Sequence, residues 1–378
     1  MLTITLRIAR VVSLCACLAA LARASVGGDE PLQLALAKTE SAAAAFPAED
    51  ELWSELQPGV ASLLQRTRGA LDAGRPELAL LTYSYAFENV RAMSFVREHA
   101  AARTDLAELE KLWTASGATF GPARAAELRA RSASIRPAIA RALAEAALFK
   151  ADVFRNASLD YAKSTTPESG LYYLGSAYAE HELFELCASL APSADAPNTS
   201  PTAPSSASPA GLGNAAALAA PPVRSLRAEL DRLDGALLAL YRPPLSIERH
   251  AEFIAAAGTL KEARELDDAG LFHGALLRFL QAEQRFAGLT DLSKTTAAQL
   301  ESSLTSFGAR TRELAFDHGI ALAFEQRAAE SLASGSLEVA AMASAALAPY
   351  LDVWATPAVA TPAPRVDVVV TLVRWPYT

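Results

Sequence analysis

Cysteine is scarce in this chain. Of its three residues, Cys15 and Cys17 sit in the opening stretch and Cys187 alone stands in the body. A body with one thiol closes no internal disulfide, so its stability has to come from an ordinary apolar core. Histidine is sparse too, with five residues scattered singly at 99, 181, 250, 273 and 318. β-branched residues are thin except near the C-terminus, which argues against a sheet-built body. Excess positive charge is also missing. The formal net charge is −8, which leaves no electrostatic case for binding nucleic acid or anionic lipid.

Nor does the chain hold an apolar run long enough to cross a membrane, which takes roughly 20 residues. The nearest approach is at the N-terminus, where Arg7 and Arg10 precede a short apolar stretch from Val11 to Ala22. Ala22, Arg23 and Ala24 then place small residues where signal peptidase reads them. The expectation is a signal peptide over 1–24, cleaved ahead of Ser25, and export to a periplasmic or extracellular space. The alternative is a lipoprotein anchored at a membrane surface through Cys17, because Leu14 to Cys17 loosely resembles a lipobox. Loss of Arg7, Arg10 and Arg23 on cleavage takes the formal charge from −8 to −11.

What the chain has in quantity is alanine and leucine. Hydrophobic residues make up 51% of it and recur at helical spacing. The fold class expected is all-α. Val60, Leu63, Leu64, Thr67 and Leu71 form an inward stripe ending at Gly74, and Pro76 opens a longer helix through Tyr83 and Phe95. Pro58 is expected to interrupt the chain ahead of that stripe. Leu106, Leu109 and Trp113 mark a helix that stops at Gly117. The pattern from Pro122 to about Lys163 contains Pro137, so it reads as two helices or one kinked at Arg136. Thr166, Pro167 and Glu168 combine a capping hydroxyl, a proline at the first turn and an acid, which together predict a helix start.

From 192 to 222 the composition turns to Pro, Ser, Ala, Thr and Gly with almost no charge and no aromatics. Such a segment cannot offset the entropy of ordering, so residues 192–224 are expected to be a disordered linker. It separates a helical domain over 25–191 from a helical repeat domain over 225–356. Ser225 is expected to cap a helix, residues 293–332 to continue as helix with Gly308 and Gly319 as soft points, and 337–351 to form the second arm of a hairpin. Residues 357–378 read as a Pro-rich spacer and a C-terminal β-strand, since Val366 to Val373 crowds β-branched residues. The strand is expected either to dock along a helical groove of this chain and cover its end or to add to a sheet edge in a partner, with Trp375 as the anchor and Arg374 and Tyr377 beside it.

Gly270, Ala275, Phe279 and Ala282 fall at the same offsets as Gly74, Ala79, Tyr83 and Ala86. Gly335, Ala340, Ser344 and Leu347 repeat them in degraded form, and Leu174, Gly175 and Tyr178 match the first helix of such a unit, whose second helix is expected through Leu183, Leu186 and Cys187 to Ala191. The pattern resembles tetratricopeptide repeats, with uneven spacing between units and without the customary closing proline. That resemblance implies an irregular helical-hairpin solenoid or bundle that binds a protein or peptide.

Chemistry is harder to find. His181, Glu182 and Glu185, with Cys187 nearby, come closest to a zinc motif. A zinc protease helix needs two histidines one turn apart, and Glu185 stands where the second belongs. The reading is an exposed helix face. Asp317 and His318 with Ser306 or Ser331 make no triad, because no nucleophile sits on a recognisable elbow. Asp267 and Asp268 read as solvated acids at a helix end, and Tyr161, Tyr172, Tyr173 and Tyr178 as packed core. No catalytic residue, cofactor or metal is expected. The function expected is a non-enzymatic exported scaffold for a protein or peptide partner. The alternative is a small-ligand binder or enzyme whose site is assembled from dispersed residues.

Overall fold

Three glycines adopt the left-handed backbone, Gly74 at φ 67, Gly270 at φ 73 and Gly335 at φ 78. Each closes a helix the same way. Gly74 N–H donates to Leu71 O at 3.0 Å while Arg75 N–H reaches back to Ala70 O at 2.8 Å. Gly270 and Leu271 bond Asp267 and Leu266 identically, as do Gly335 and Ser336 with Leu332 and Ser331. This paired closure needs positive φ at the residue after the cap, which glycine adopts without steric cost. Three helical hairpins therefore turn at the three positions where the sequence offsets coincide.

The computed structural model describes residues 30–190, 221, 223–241, 247–314 and 316–355. The expected signal segment with Cys17, most of the linker, and the tail carrying Arg374, Trp375 and Tyr377 lie outside the described residues. Within them the chain is all-α. The helices are α1 (Glu30–Ala44), α2 (Glu51–Asp72), α3 (Pro76–Glu98), α4 (Leu106–Ser116), α5 (Pro122–Ser132), α6 (Ala138–Ser164) and α7 (Pro167–Ser189). After the linker come α8 (Arg227–Leu240), α9 (Ile247–Asp268), α10 (Phe272–Gly288), α11 (Ala297–Thr311), α12 (Gly319–Ala333), α13 (Leu337–Ser344) and α14 (Leu347–Ala355). None is long and apolar enough to cross a membrane.

Helices α2 and α3, α6 and α7, and α9 and α10 pack as antiparallel neighbours, and α7 also lies along α3. Gly175 makes the last crossing possible, since a Cβ there would stand 2.9 Å from Ala92 O. Ala79, Tyr83, Ala275 and Phe279 are all buried, each at 1% exposure or less. One apolar cluster runs from Leu32 on α1 to Val353 on α14. The helices before and after the linker thus share a single core, with α10 seated on α6, and α12 on α3 and α6.

Along this seam the two halves cap each other. Helices α3, α6 and α10 begin at Arg75, Pro137 and Leu271, none of which supplies a side-chain cap. The missing acceptors come from across the seam. Gln326 Oε1 on α12 accepts Leu78 N–H at 3.1 Å, and Gln326 Nε2 donates to Glu77 Oε2 at 2.9 Å. Asp317 Oδ2 accepts Ala138 N–H at 2.6 Å, while its Oδ1 accepts Gly319 N–H at 2.7 Å. Glu145 Oε2 on α6 accepts the N–H groups of His273 and Gly274, both at 2.9 Å. Each filled helix start contributes about 1 kcal/mol.

Several expectations change. Helix α2 runs unbroken through Pro58. An interior proline disfavours a helix by about 3 kcal/mol, and the burial of Trp53 and Val60 on either side offsets that. Of the two soft points expected in 293–332, Gly308 stays inside α11 and the chain breaks ahead of Gly319, where buried Asp317 leaves helical geometry to cap two helix starts. The second arm of the third hairpin divides into α13 and α14. Pro349 explains this, because in a continuous helix it would be interior, whereas in α14 it falls in the first turn. The pattern around Pro137 resolves into two helices, α5 and α6, whereas the two helices expected over 171–191 are one, since α7 runs without a turn through Tyr178 and Leu183. Arg224, assigned to the linker by composition, is seated, pairing with Glu229 and donating to Val353 O at 3.2 Å.

Candidate functional site

Where α2, α3, α10, α12 and α13 converge on the seam, they enclose a cleft of about 320 Å³. Its walls follow helical spacing. Leu78, Leu81, Thr82 and Tyr85 form one face of α3, and Gln281, Gln284 and Arg285 one face of α10. Leu63 and Arg66 come from α2, Arg327 from α12 and Met342 from α13. A cleft of this size is within the range of small-ligand sites.

Three arginines are the cleft's charged groups. Arg66 and Arg327 are half-buried, and Arg285 is exposed at the mouth. Many arginines elsewhere are matched with acids, as Arg91 is with Glu182 at 2.8 Å, Arg131 with Glu185 at 2.7 Å and Arg232 with Glu283 at 2.6 Å, and others donate to carbonyls, as Arg97 does to Ala45 O at 2.9 Å. Among the described residues, none of the three cleft arginines has such a partner. Arg327 Nε is buried without any hydrogen-bond acceptor. Burial, reinforced by the nearby Arg66 and Arg285, holds the Arg327 guanidinium below its ordinary pKa, with Tyr85 and Glu330 acting the other way. Three like charges thus share one cleft in a chain whose formal net charge is −8.

Gln281 links the cleft to a buried ionic cluster. Its Nε2 donates to Tyr85 OH at 2.6 Å and its Oε1 accepts from Arg278 Nη1 at 2.8 Å. Behind them the Lys150 ammonium bridges Glu88 and Glu180 and lies 5.0 Å from the centre of the Phe154 ring. Burial pushes the Glu180 carboxyl up to about 7, against the pull of Lys150 and with the push of Glu88. Burial opposes charge on Lys150 as well, but Glu180 and Glu88 outweigh it and hold the ammonium above its ordinary value. Lysine here is a satisfied internal ion, and the cleft arginines are not.

The sequence candidates fall elsewhere. Arg374, Trp375 and Tyr377 lie outside the described residues. Glu182 and Glu185 are engaged by Arg91 and by Arg131 with Arg124, His181 stands edge-on to Phe120 with ring centres 6.0 Å apart, and Cys187 is buried in the core. These four do not converge, and among the described residues no group of three or more His, Cys, Asp or Glu side chains is placed to hold a metal. The tyrosines make separate contacts and are not all core, since Tyr161 is 41% exposed. Tyr161 stacks on Tyr173 at 4.0 Å, Tyr178 on Phe95 at 5.0 Å, and Tyr172 OH donates to Asn89 Oδ1 at 2.7 Å. Asp267 is not solvated. It is buried, accepting Leu226 N–H at 2.7 Å and the Ser225 hydroxyl at 2.6 Å to close the start of α8.

Sequence reasoning missed the cleft because Arg66, Arg285 and Arg327 lie on three remote helices with no common motif. The faint signal was an arginine beside the inward stripe of Leu63, Leu64 and Thr67. Compared with known proteins, the chain matches no family model, no curated protein and no solved structure.

Proposed function

We propose that this chain is an exported, non-enzymatic helical scaffold, tetratricopeptide-like in architecture, that receives a protein or peptide partner in the seam cleft. The observation that supports the reading is the cleft itself: its walls come from both halves, and its three arginines are left without acids. Export rests on the N-terminal charge and apolar pattern. The tail over 366–377, with Arg374, Trp375 and Tyr377, is proposed as a second contact with the same partner. A small organic ligand is the second reading, favoured by a volume of about 320 Å³ that admits only one or two side chains of a larger partner.

The test is a thermal-shift screen of the mature chain against a random peptide pool and a small-molecule panel. Leu63→Trp, which fills the cleft from a half-buried wall position, serves as the blocked variant. Ligands that raise Tm in the unblocked chain and not in the blocked one support the reading. Equal shifts in both place binding elsewhere, and turnover of a bound compound assigns the chain to the enzymes.

A further inference from the structure

We infer that the ligand of the seam cleft is a polyvalent oxyanion, carrying at least two carboxylate or phosphate groups, received by Arg66, Arg285 and Arg327. The inference rests on the cleft being the binding surface and names the chemistry of what enters it.

Acids outnumber bases in this chain by 42 to 34, so partners for arginine are plentiful. Yet three arginines from three helices converge where no described acid meets them, and Glu330, which acts on Arg327, does not come within ion-pairing distance. Leaving guanidiniums unpaired in a half-buried cleft works against folding through lost hydration and mutual repulsion. The Arg327 Nε is buried without even a carbonyl to accept its hydrogen. A bound oxyanion answers each deficit: it neutralises the cluster, accepts the orphaned N–H and fits the planar fork of guanidinium bidentately. Neutral donors stand beside the arginines. The Gln284 side chain lines the cleft, and Tyr85 OH, already accepting from Gln281, keeps its proton to donate. The cleft supplies donors and no carboxylate, which selects against cations. Three cationic heads lining one cleft favour a ligand with several anionic groups over a single small anion.

The same chemistry occurs on free small molecules and on acidic peptides, so the probes separate these sources. Calorimetry at low salt is run on the mature chain with pyrophosphate, citrate, hexaglutamate and hexaglutamine. Binding of pyrophosphate or citrate identifies a free oxyanion ligand; binding of hexaglutamate alone identifies an acidic peptide; both support the inference. Arg66→Gln and Arg327→Gln are each expected to weaken binding roughly tenfold, and raised salt is expected to weaken it further. Arg→Lys at either position is expected to restore part of the loss. Absence of binding by all three anions overturns the inference, as does affinity unchanged in the Arg66→Gln/Arg327→Gln double variant. If hexaglutamine or another neutral ligand binds and Leu63→Trp abolishes it, the cleft remains the site and only the charge inference fails. If no ligand depends on the cleft, both fail.

Discussion

Glu145 on α6 closes the start of α10: one carboxylate oxygen accepts the backbone N–H groups of His273 and Gly274, each at 2.9 Å. The two segments lie on opposite sides of the linker and meet so closely that a Cβ on Gly274 would stand 3.0 Å from Glu145 Cβ. The acceptor is held ready, since Arg141 donates to the other oxygen at 2.9 Å. Burial works to raise the Glu145 pKa, but His273, the Gly274 N–H and Arg141 outweigh it and hold the carboxyl below its ordinary value. Replacing Glu145 with Ala should destabilise the whole chain by about 1–3 kcal/mol in denaturant unfolding. A loss within about 0.5 kcal/mol, the range of surface substitutions, would remove the cap from this account.

Because caps and core cross the seam, the halves should unfold together. With a protease site engineered into 191–220 and then cut, the fragments are expected to stay associated and melt in one transition. Two separate transitions, or fragments that part at low concentration, would contradict a shared core.

The crossing around Ala275 should not admit a larger residue. It is fully buried one turn ahead of Phe279, and Ala275→Leu is expected to cost about 1–3 kcal/mol by overpacking. Chemical denaturation measures this, and a change near zero would mean that α9, α10 and α6 pack more loosely than described.

Glu180 makes stability depend on pH in the less usual direction. Its carboxyl is pushed from 4.5 up to about 7, burial being the largest cause. The folded chain therefore holds a proton there that the unfolded chain has released. The stability tied to that proton is full below about pH 4.5 and is lost as pH rises toward 7. Glu180→Gln should flatten this part of the stability curve, read from denaturation midpoints between pH 4.5 and 7. An unchanged slope in the variant would assign the pH dependence to other groups.

Much of the fold was legible in local chemistry. The turns at Gly74, Gly270 and Gly335 announce themselves because a positive φ all but demands glycine. The start at Thr166 and Pro167 was readable because its cap, the Thr166 hydroxyl accepting Ser169 N–H at 3.2 Å, is local. The starts of α3, α6 and α10 carry no such mark, since their acceptors, Gln326, Asp317 and Glu145, arrive from remote sequence. Pro58 misled for a related reason: tertiary burial overrode a local rule. The cleft was illegible because an arginine without an acid is a fact about the space around it. Nothing in the sequence near Arg66 or Arg327 distinguishes it from Arg131, which is paired.

Arg327 should trade stability for binding. Its unpaired, half-buried charge is repelled by Arg66 and Arg285, so Arg327→Met is expected to leave Tm unchanged or raise it while weakening anion binding. A large fall in Tm would make Arg327 a structural residue.

The most direct test of the central claim locates the bound ligand. A photoreactive side chain placed at Met342, on the cleft wall, is compared with one at Leu34, 57% exposed on α1. After irradiation with a biotinylated random peptide pool, the account predicts label on the Met342 chain, lost when Leu63→Trp fills the cleft, and background label on the Leu34 chain. Label at Leu34 with none at Met342 would contradict it.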